Sequence, residues 1–457
     1  MSDATQAALT GIWRSLGGGT EWPGRLTVHG EGGLPSGFAV SDLAAASVGA
    51  ACLAVAELVH ARRGGLPRAA VDRRLASFWF GSSIRPQGWA LPPAWDAVAG
   101  DYRTADGWIK LHTNAPHHRA AALDALGVPA ERERVGQAVA AWAADALEAA
   151  VVQGGGCAAA MRGMAAWTAH PQGRAAAADP LLLIEPGEPG PAPGWTVPAG
   201  APLEGVRVLD MTRVLAGPVA TRFLAGFGAD VLRIDPPGWD EPGLVPDVAL
   251  GKRCARLDLR QPADRATWDG LLARADVLVH GYRPGALAGL GLDAARRRGM
   301  CPGLIDVSLD AYGWSGPWQA RRGFDSLVQM SCGIAAAGMD RFGRDCPTPL
   351  PVQALDHATG YMMAAAAVRG LTGRLSTGAG CTTRASLAGT AALLIGLPPG
   401  DAGLLAPETP GDLAEACEDT AWGPALRVRP PCEVEEAPMR WRRPAAPLGS
   451  AAASWAT

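Results

Sequence analysis

The apolar pattern is most regular over residues 203–235. Residues 206–210 read as a strand, a turn carries Ala216, Gly217 and Pro218, a helix runs to about Phe227, and residues 230–235 read as a second strand. Two strands joined by a crossover helix of this length form a βαβ unit, so a parallel sheet with ligand-binding potential at its strand ends is expected. A dinucleotide fingerprint would show G-x-G-x-x-G there. The turn offers only Ala-Gly-Pro, which points to a different ligand. Further on, residues 276–280 read as a strand, and the extended run 349–355 precedes a helix starting near His357. The apolar segments around 43–58 and 358–371 are too short or too interrupted to span a bilayer and read as buried helices.

Residues 185–202, rich in proline and glycine, form a linker between two globular parts. Before it, residues 1–100 and 101–184 divide into a mainly helical segment and a small domain. After it come residues 203–397 and a Pro-rich segment, 398–457, expected to wrap the surface and to be partly disordered. The part before the linker echoes the part after it. An offset of 311 carries Gly49 onto Gly360, and one of 312 carries Leu75 onto Leu387. On that alignment Ala45 falls opposite Asp356, with Asp42 nearby but elsewhere relative to the helix start, so one active centre per chain is expected.

Composition narrows the class. A chain of 457 residues has ample core for two or three domains, and a formal charge of −3 leaves no electrostatic footprint for nucleic acid or an anionic membrane. Nine cysteines without a C-x-x-C pair argue against a disulfide framework or a zinc site, and reduced thiols in a cytoplasm fit best. The N-terminus shows no basic stretch followed by an apolar run, so no export signal is read. Only Lys110 and Lys252 are lysines in a chain rich in arginine.

Seven motifs stand in order along residues 203–370. They are the βαβ opening; Gly251-Lys252-Arg253 with the run 257–259; Ala275-Asp276-Val277-Leu278; Tyr282-Arg283-Pro284-Gly285 with Leu290-Gly291-Leu292; Tyr312-Gly313-Trp314-Ser315-Gly316-Pro317; Gly323-Phe324-Asp325; and Asp356-His357-Ala358-Thr359-Gly360. This series resembles the family III CoA-transferases (CaiB/BaiF type), a group that includes formyl-CoA transferase, carnitine CoA-transferase and α-methylacyl-CoA racemase. The resemblance implies an α/β fold, a Rossmann-like parallel-sheet domain plus a smaller α+β domain. Residues 102–127 and 164–174 resemble the start and end of the family's small domain, so the parts come in rearranged order. Family members fold as interlocked dimers. Whether two of these chains form such a homodimer, or one chain completes the arrangement alone, stays open.

By the same resemblance Asp356 is the nucleophile that attacks an acyl-CoA thioester and then carries CoA as an aspartyl thioester. An aspartate ahead of a helix is also an ordinary N-cap, and the macrodipole there would favour the carboxylate. Arg213, Val214, Leu215 and Ala216 match the family's cofactor-binding turn, and Lys252, Arg253, Tyr282, Arg283 and Pro284 match further CoA contacts. Ala249 stands where the family often shows asparagine. Phe324 and Asp325 complete the set, Asp325 positioning its loop through backbone hydrogen bonds. In the racemase branch the Phe324 position is a proton-transferring histidine, and phenylalanine cannot move a proton. His357 is expected to line the pocket or be hydrogen-bonded, His280 to approach the nucleotide or fill a strand end, and His117 and His118 lack an acidic or thiol partner at metal spacing.

The implied activity is transfer of CoA between an acyl-CoA and a carboxylic acid, with CoA as substrate and no permanently bound cofactor. An acyl-CoA racemase or isomerase, or an inactive CoA-binding scaffold, are the alternatives.

Overall fold

The computed structural model of the protein describes residues 1–191, 193–400 and 403–456. Its strands, in chain order, begin with β1 (Leu26–His29), β2 (Ala69–Asp72) and β3 (Ile84–Pro86). A small antiparallel sheet follows from β4 (Gly100–Arg103), β5 (Trp108–Leu111) and β6 (Ala158–Ala160), then β7 (Leu182–Pro186). The second half holds β8 (Arg207–Met211), β9 (Asp230–Asp235), β10 (Arg253–Arg256), β11 (Val277–His280), β12 (Ile305–Asp310) and β13 (Cys381–Ser386). The chain ends with β14 (Glu418–Thr420), β15 (Gly423–Arg427) and β16 (Cys432–Val434).

The main sheet has the order β10-β9-β8-β11-β12-β13-β7, parallel throughout except for the β13–β7 edge pair. Its inner strands are buried on both faces, as apolar runs such as Val277-Leu278-Val279 require. The strand order reverses between β8 and β11. A doubly wound sheet opens its ligand crevice beyond the carboxyl ends of the strands at such a point. The predicted βαβ unit is present as β8, the helix Ala216–Gly226 and β9, which holds that the fold class is α/β.

The helix Ala354–Thr377 runs under the sheet, its first fifteen residues buried, with the helices Ala216–Gly226 and Val40–Arg63 packed against it. Gly360 permits the close crossing: a Cβ there would lie 2.4 Å from the Ala216 carbonyl oxygen. The Val40 helix is longer than its apolar core suggested, 24 residues, and is long and apolar enough to cross a membrane. Here 89% of that apolar window is buried inside the protein.

Three sequence expectations are revised. Residues 1–100 are not simply helical, since β1 and β2 form a second sheet with β16. The segment 398–457 is ordered over its described residues rather than loose. β15 pairs β3, Trp441 stacks on Trp79 at 5.3 Å, and the Trp455 indole donates to the Leu271 carbonyl at 3.1 Å. These anchors are single side chains without periodicity, which is why the apolar pattern did not show them. The cysteines are also not all free: Cys52 and Cys432 meet as a disulfide, 380 residues apart in sequence with Cα atoms 7.0 Å apart. Such a separation leaves no spacing signature.

The internal echo is also re-registered. One offset of 314 carries Val40 onto Ala354, Gly64 onto Gly378, Asp72 onto Ser386 and Arg73 onto Leu387, matching helix starts, helix ends and caps together. On that register Asp42, not Ala45, stands opposite Asp356. Alanine-rich helices align by composition at several nearby offsets, whereas caps admit one.

Candidate active site

A cavity of about 430 Å³ opens at the β8/β11 switch point, in the size range of small-molecule sites. Arg213, Val214, Ala216, Tyr282, Arg283, Phe324 and Asp356 all line it, so seven sequence candidates from four separate segments converge. The turn after β8 is unusual. Val214 has φ of 63°, a left-handed conformation that a β-branched residue adopts only under constraint. The constraint is visible: the Val214 N–H donates to Glu241 Oε1 at 2.7 Å, while Glu241 Oε2 accepts from buried Arg233 at 2.9 Å. The Arg213 guanidinium lies 4.7 Å over the Trp239 ring and 5.3 Å over Tyr282, whose hydroxyl it meets at 3.2 Å. This aromatic and cationic corner suits an adenine or a phosphate.

Asp356 is the third residue of its helix and opens on the cavity while being only 6% exposed. It is not the N-cap. Gln353 occupies that position, and the two N-terminal amides of Leu355 and Asp356 donate to Asp325 Oδ2 at 2.9 and 3.1 Å. Gln329 braces the arrangement, donating to Asp325 Oδ1 and accepting the Leu350 N–H at 2.7 Å. Asp325 therefore does position its loop through backbone hydrogen bonds. The consequence reverses the expected electrostatics at Asp356. Burial first, and then the neighbouring Asp325 charge, hold its carboxyl well above the usual carboxylate range. The helix dipole does not win, because Asp325 has taken the amides that would express it.

The other candidates fall outside the cavity lining. Leu215 is packed into the core and Pro284 is half-buried outside the lining. Lys252 is fully buried, donating to Asp210 Oδ2 at 3.0 Å and the Pro218 carbonyl at 2.9 Å, so it braces the sheet and not the ligand. Arg253 pairs with Asp230 at 2.8 Å. His280 is buried against Asp306 at 3.3 Å, the strand-end filler of its two readings. His357 neither lines the cavity nor finds a hydrogen-bond partner: it is buried and stacked on Phe80 at 5.1 Å. Burial lowers its pKa to about 3. Between about pH 6.5 and 3 the unfolded chain binds a proton there that the folded chain refuses, so this group removes stability as pH falls. His357→Phe should keep the stack and flatten that loss. Urea unfolding at pH 7 and pH 5 should show the variant relatively steadier by about 2 kcal/mol at the lower pH.

Sequence reasoning missed a whole wall. His117 and His118 of the small domain line the cavity, with Trp239, Asp310, Arg321, Arg322 and Leu387. His118 has a thiol neighbour after all, Cys157 Sγ at 3.6 Å from Nε2, and burial lowers its pKa to about 4. His112 stacks on Phe324 with centroids 3.7 Å apart. Arg321 lies 4.0 Å over Trp318 and is held by Glu148 of the small domain at 2.9 Å. Burial raises the Asp310 carboxyl to about 7. Among the described residues no group of three His, Cys, Asp or Glu is placed to hold a metal ion.

Residues 203–430 match the model of CoA-transferase family III. An acetyl-coenzyme A transferase of Hypoxylon pulicicidum is 33% identical over 208 residues, covering 43% of this chain and 35% of that protein. Succinyl-CoA:glutarate CoA-transferase of Mus musculus is 33% identical over 192 residues, 39% of this chain and 44% of that protein. The crystal structure of Rv3272 from Mycobacterium tuberculosis is similar at 30% identity with a TM-score of 0.39, covering 42% of this chain and 57% of that one. The chain spans less than half the length of these two curated relatives. Residues 203–430 are a CoA-transferase family III region.

Proposed function

We propose that the protein transfers coenzyme A between an acyl-CoA thioester and a carboxylic acid, with Asp356 as covalent carrier. The observation that carries the proposal is the placement of buried Asp356 in the cavity that also holds the Arg213–Tyr282–Arg283 corner. The arginines and aromatic rings suit the phosphates and adenine of CoA, and the cavity leads from them to Asp356. An oxygen of ionised Asp356 attacks the thioester carbonyl, the C–S bond breaks, and CoA leaves as a thiolate from a mixed anhydride. The thiolate attacks the aspartyl carbonyl, releasing the donor acid as its carboxylate and leaving aspartyl-CoA. The incoming carboxylate attacks this thioester, and the freed thiolate attacks the new anhydride at the acceptor carbonyl, restoring Asp356.

The racemase alternative loses support at the site. Phe324 carries no proton, and His118, the cavity histidine packed edge-on to Phe324, has Nε2 turned to Cys157. An inert scaffold has no need of a strained valine and a desolvated carboxyl on one cavity. Incubation with an acyl-CoA and hydroxylamine, followed by peptide mass mapping, should place a hydroxamate on the peptide containing Asp356. Solvent deuterium entering the α-carbon without acyl exchange would instead favour the racemase.

A further inference from the structure

The offset of 314 extends from helix caps to sheet neighbours. β13 has β12 parallel on one side and β7 antiparallel on the other. β2 has β1 parallel on one side and β16 antiparallel on the other. The two outer strands are exchanged. β7 follows the small domain of the first half yet joins the sheet of the second. β16 ends the second half yet joins the sheet of the first. The helix N-caps share one backbone conformation, Ala39 at φ −75°, ψ 57° and Gln353 at φ −74°, ψ 64°.

The chemistry at the equivalent positions differs. Asp42, like Asp356, is the third residue of its 24-residue helix. Leu387, which opens the helix directly after β13, lines the cavity at Asp356. Its counterpart Arg73 instead fills the space, with Nη1 and Nη2 on the two Asp42 carboxylate oxygens at 2.7 and 2.8 Å. Thr5 Oγ1 adds a third donor to Asp42 at 2.8 Å. Burial pushes the Asp42 carboxyl up, and the Arg73, Ser2 and Thr5 contacts together bring it below its ordinary value. A guanidinium bound by both its nitrogens to one buried carboxylate takes that carboxylate out of nucleophilic chemistry.

We propose that one polypeptide holds two units related by this repeat, each closing the other's sheet, with a working centre at Asp356 and a closed counterpart at Asp42 sealed by Arg73. The working centre then draws its small-domain wall, His117 and His118, from the first half of the same chain and needs no second copy. The closed-centre part rests on the transferase reading of Asp356; the strand exchange does not.

The exchange is tested by Leu183→Cys with Arg384→Cys, a directly opposed pair on β7 and β13. Oxidation of the purified full chain, with the linked peptides mapped, should give a product of single-chain mass, 47.0 kDa. A linked product of twice that mass would place the exchange between chains and overturn the proposal. The closed centre is tested by the hydroxylamine trap on the native protein: adduct on the Asp356 peptide and none on the Asp42 peptide is expected. Adduct on Asp42 would show an open second centre. Adduct on neither would sink the transferase reading and, with it, the closed counterpart, while the cross-link still decides the exchange. Asp42→Asn should lower Tm by several degrees and leave KM and kcat unchanged.

Discussion

Asp356→Asn is expected to abolish acyl exchange, lowering turnover by about 10³-fold or more, equivalent to about 4 kcal/mol of barrier. The amide keeps the shape and cannot form the anhydride. The measurement is the exchange of labelled carboxylic acid into acyl-CoA, and a variant retaining a tenth of the activity would remove Asp356 from the mechanism. The same substitution should make the protein more stable. In the folded state burial and the Asp325 charge hold the Asp356 carboxyl above its usual range, so the folded chain keeps a proton that the unfolded chain releases. The stability cost therefore begins as pH rises above the ordinary carboxylate range and grows until the folded group itself ionises. The gain in Asp356→Asn should be absent near pH 3 and present at pH 7. A loss of activity together with a gain in stability is the mark of a strained functional group, and a purely structural aspartate would show neither.

Lys252→Met is expected to cost about 3–5 kcal/mol of stability, the usual consequence of removing one partner of a buried ion pair. Lys252 and Asp210 are both fully shielded from solvent, and Asp210 keeps, besides the Thr212 N–H at 2.9 Å, the Thr212 and Thr221 hydroxyls, each at 2.5 Å. Those hydroxyls cannot replace a cation. The urea midpoint should fall sharply, while KM for acyl-CoA in the folded protein stays unchanged. Adding Asp210→Asn should recover part of the loss, since no uncompensated charge is then left inside. A raised KM with unaltered stability would return Lys252 to the ligand contacts that its motif suggested.

That contrast shows why the motif series could locate the domain and yet misplace some residues. Gly251-Lys252-Arg253 lies in the family's order, but order does not say which way a side chain turns. Lys252 turns inward to Asp210, and Arg253 turns along the strand face to Asp230. Arg213, Tyr282 and Arg283 line the cavity because each closely follows a strand that ends at the switch point, where side chains are near the crevice. His357, expected to line the pocket or be hydrogen-bonded, does neither, because the helix turns it about 100° from Asp356 into an apolar stack on Phe80 that offers no polar partner.

By itself the sequence determined the βαβ unit and the parallel sheet, and its motif series carried the family resemblance that implies Asp356 as nucleophile. These follow from apolar periodicity and short motifs, which are local in the chain. Only the tertiary structure decided the rest. The histidine wall comes from residues more than two hundred positions before Asp356. Burial, and then the charge of Asp325, which stands thirty-one residues before Asp356 and takes the helix amides, hold the Asp356 carboxyl above its ordinary range. The register of the proposed repeat rests on helix caps, because alanine-rich helices look alike at several offsets. Contacts, desolvation and competition for hydrogen bonds depend on which distant segments meet, and no local pattern encodes that.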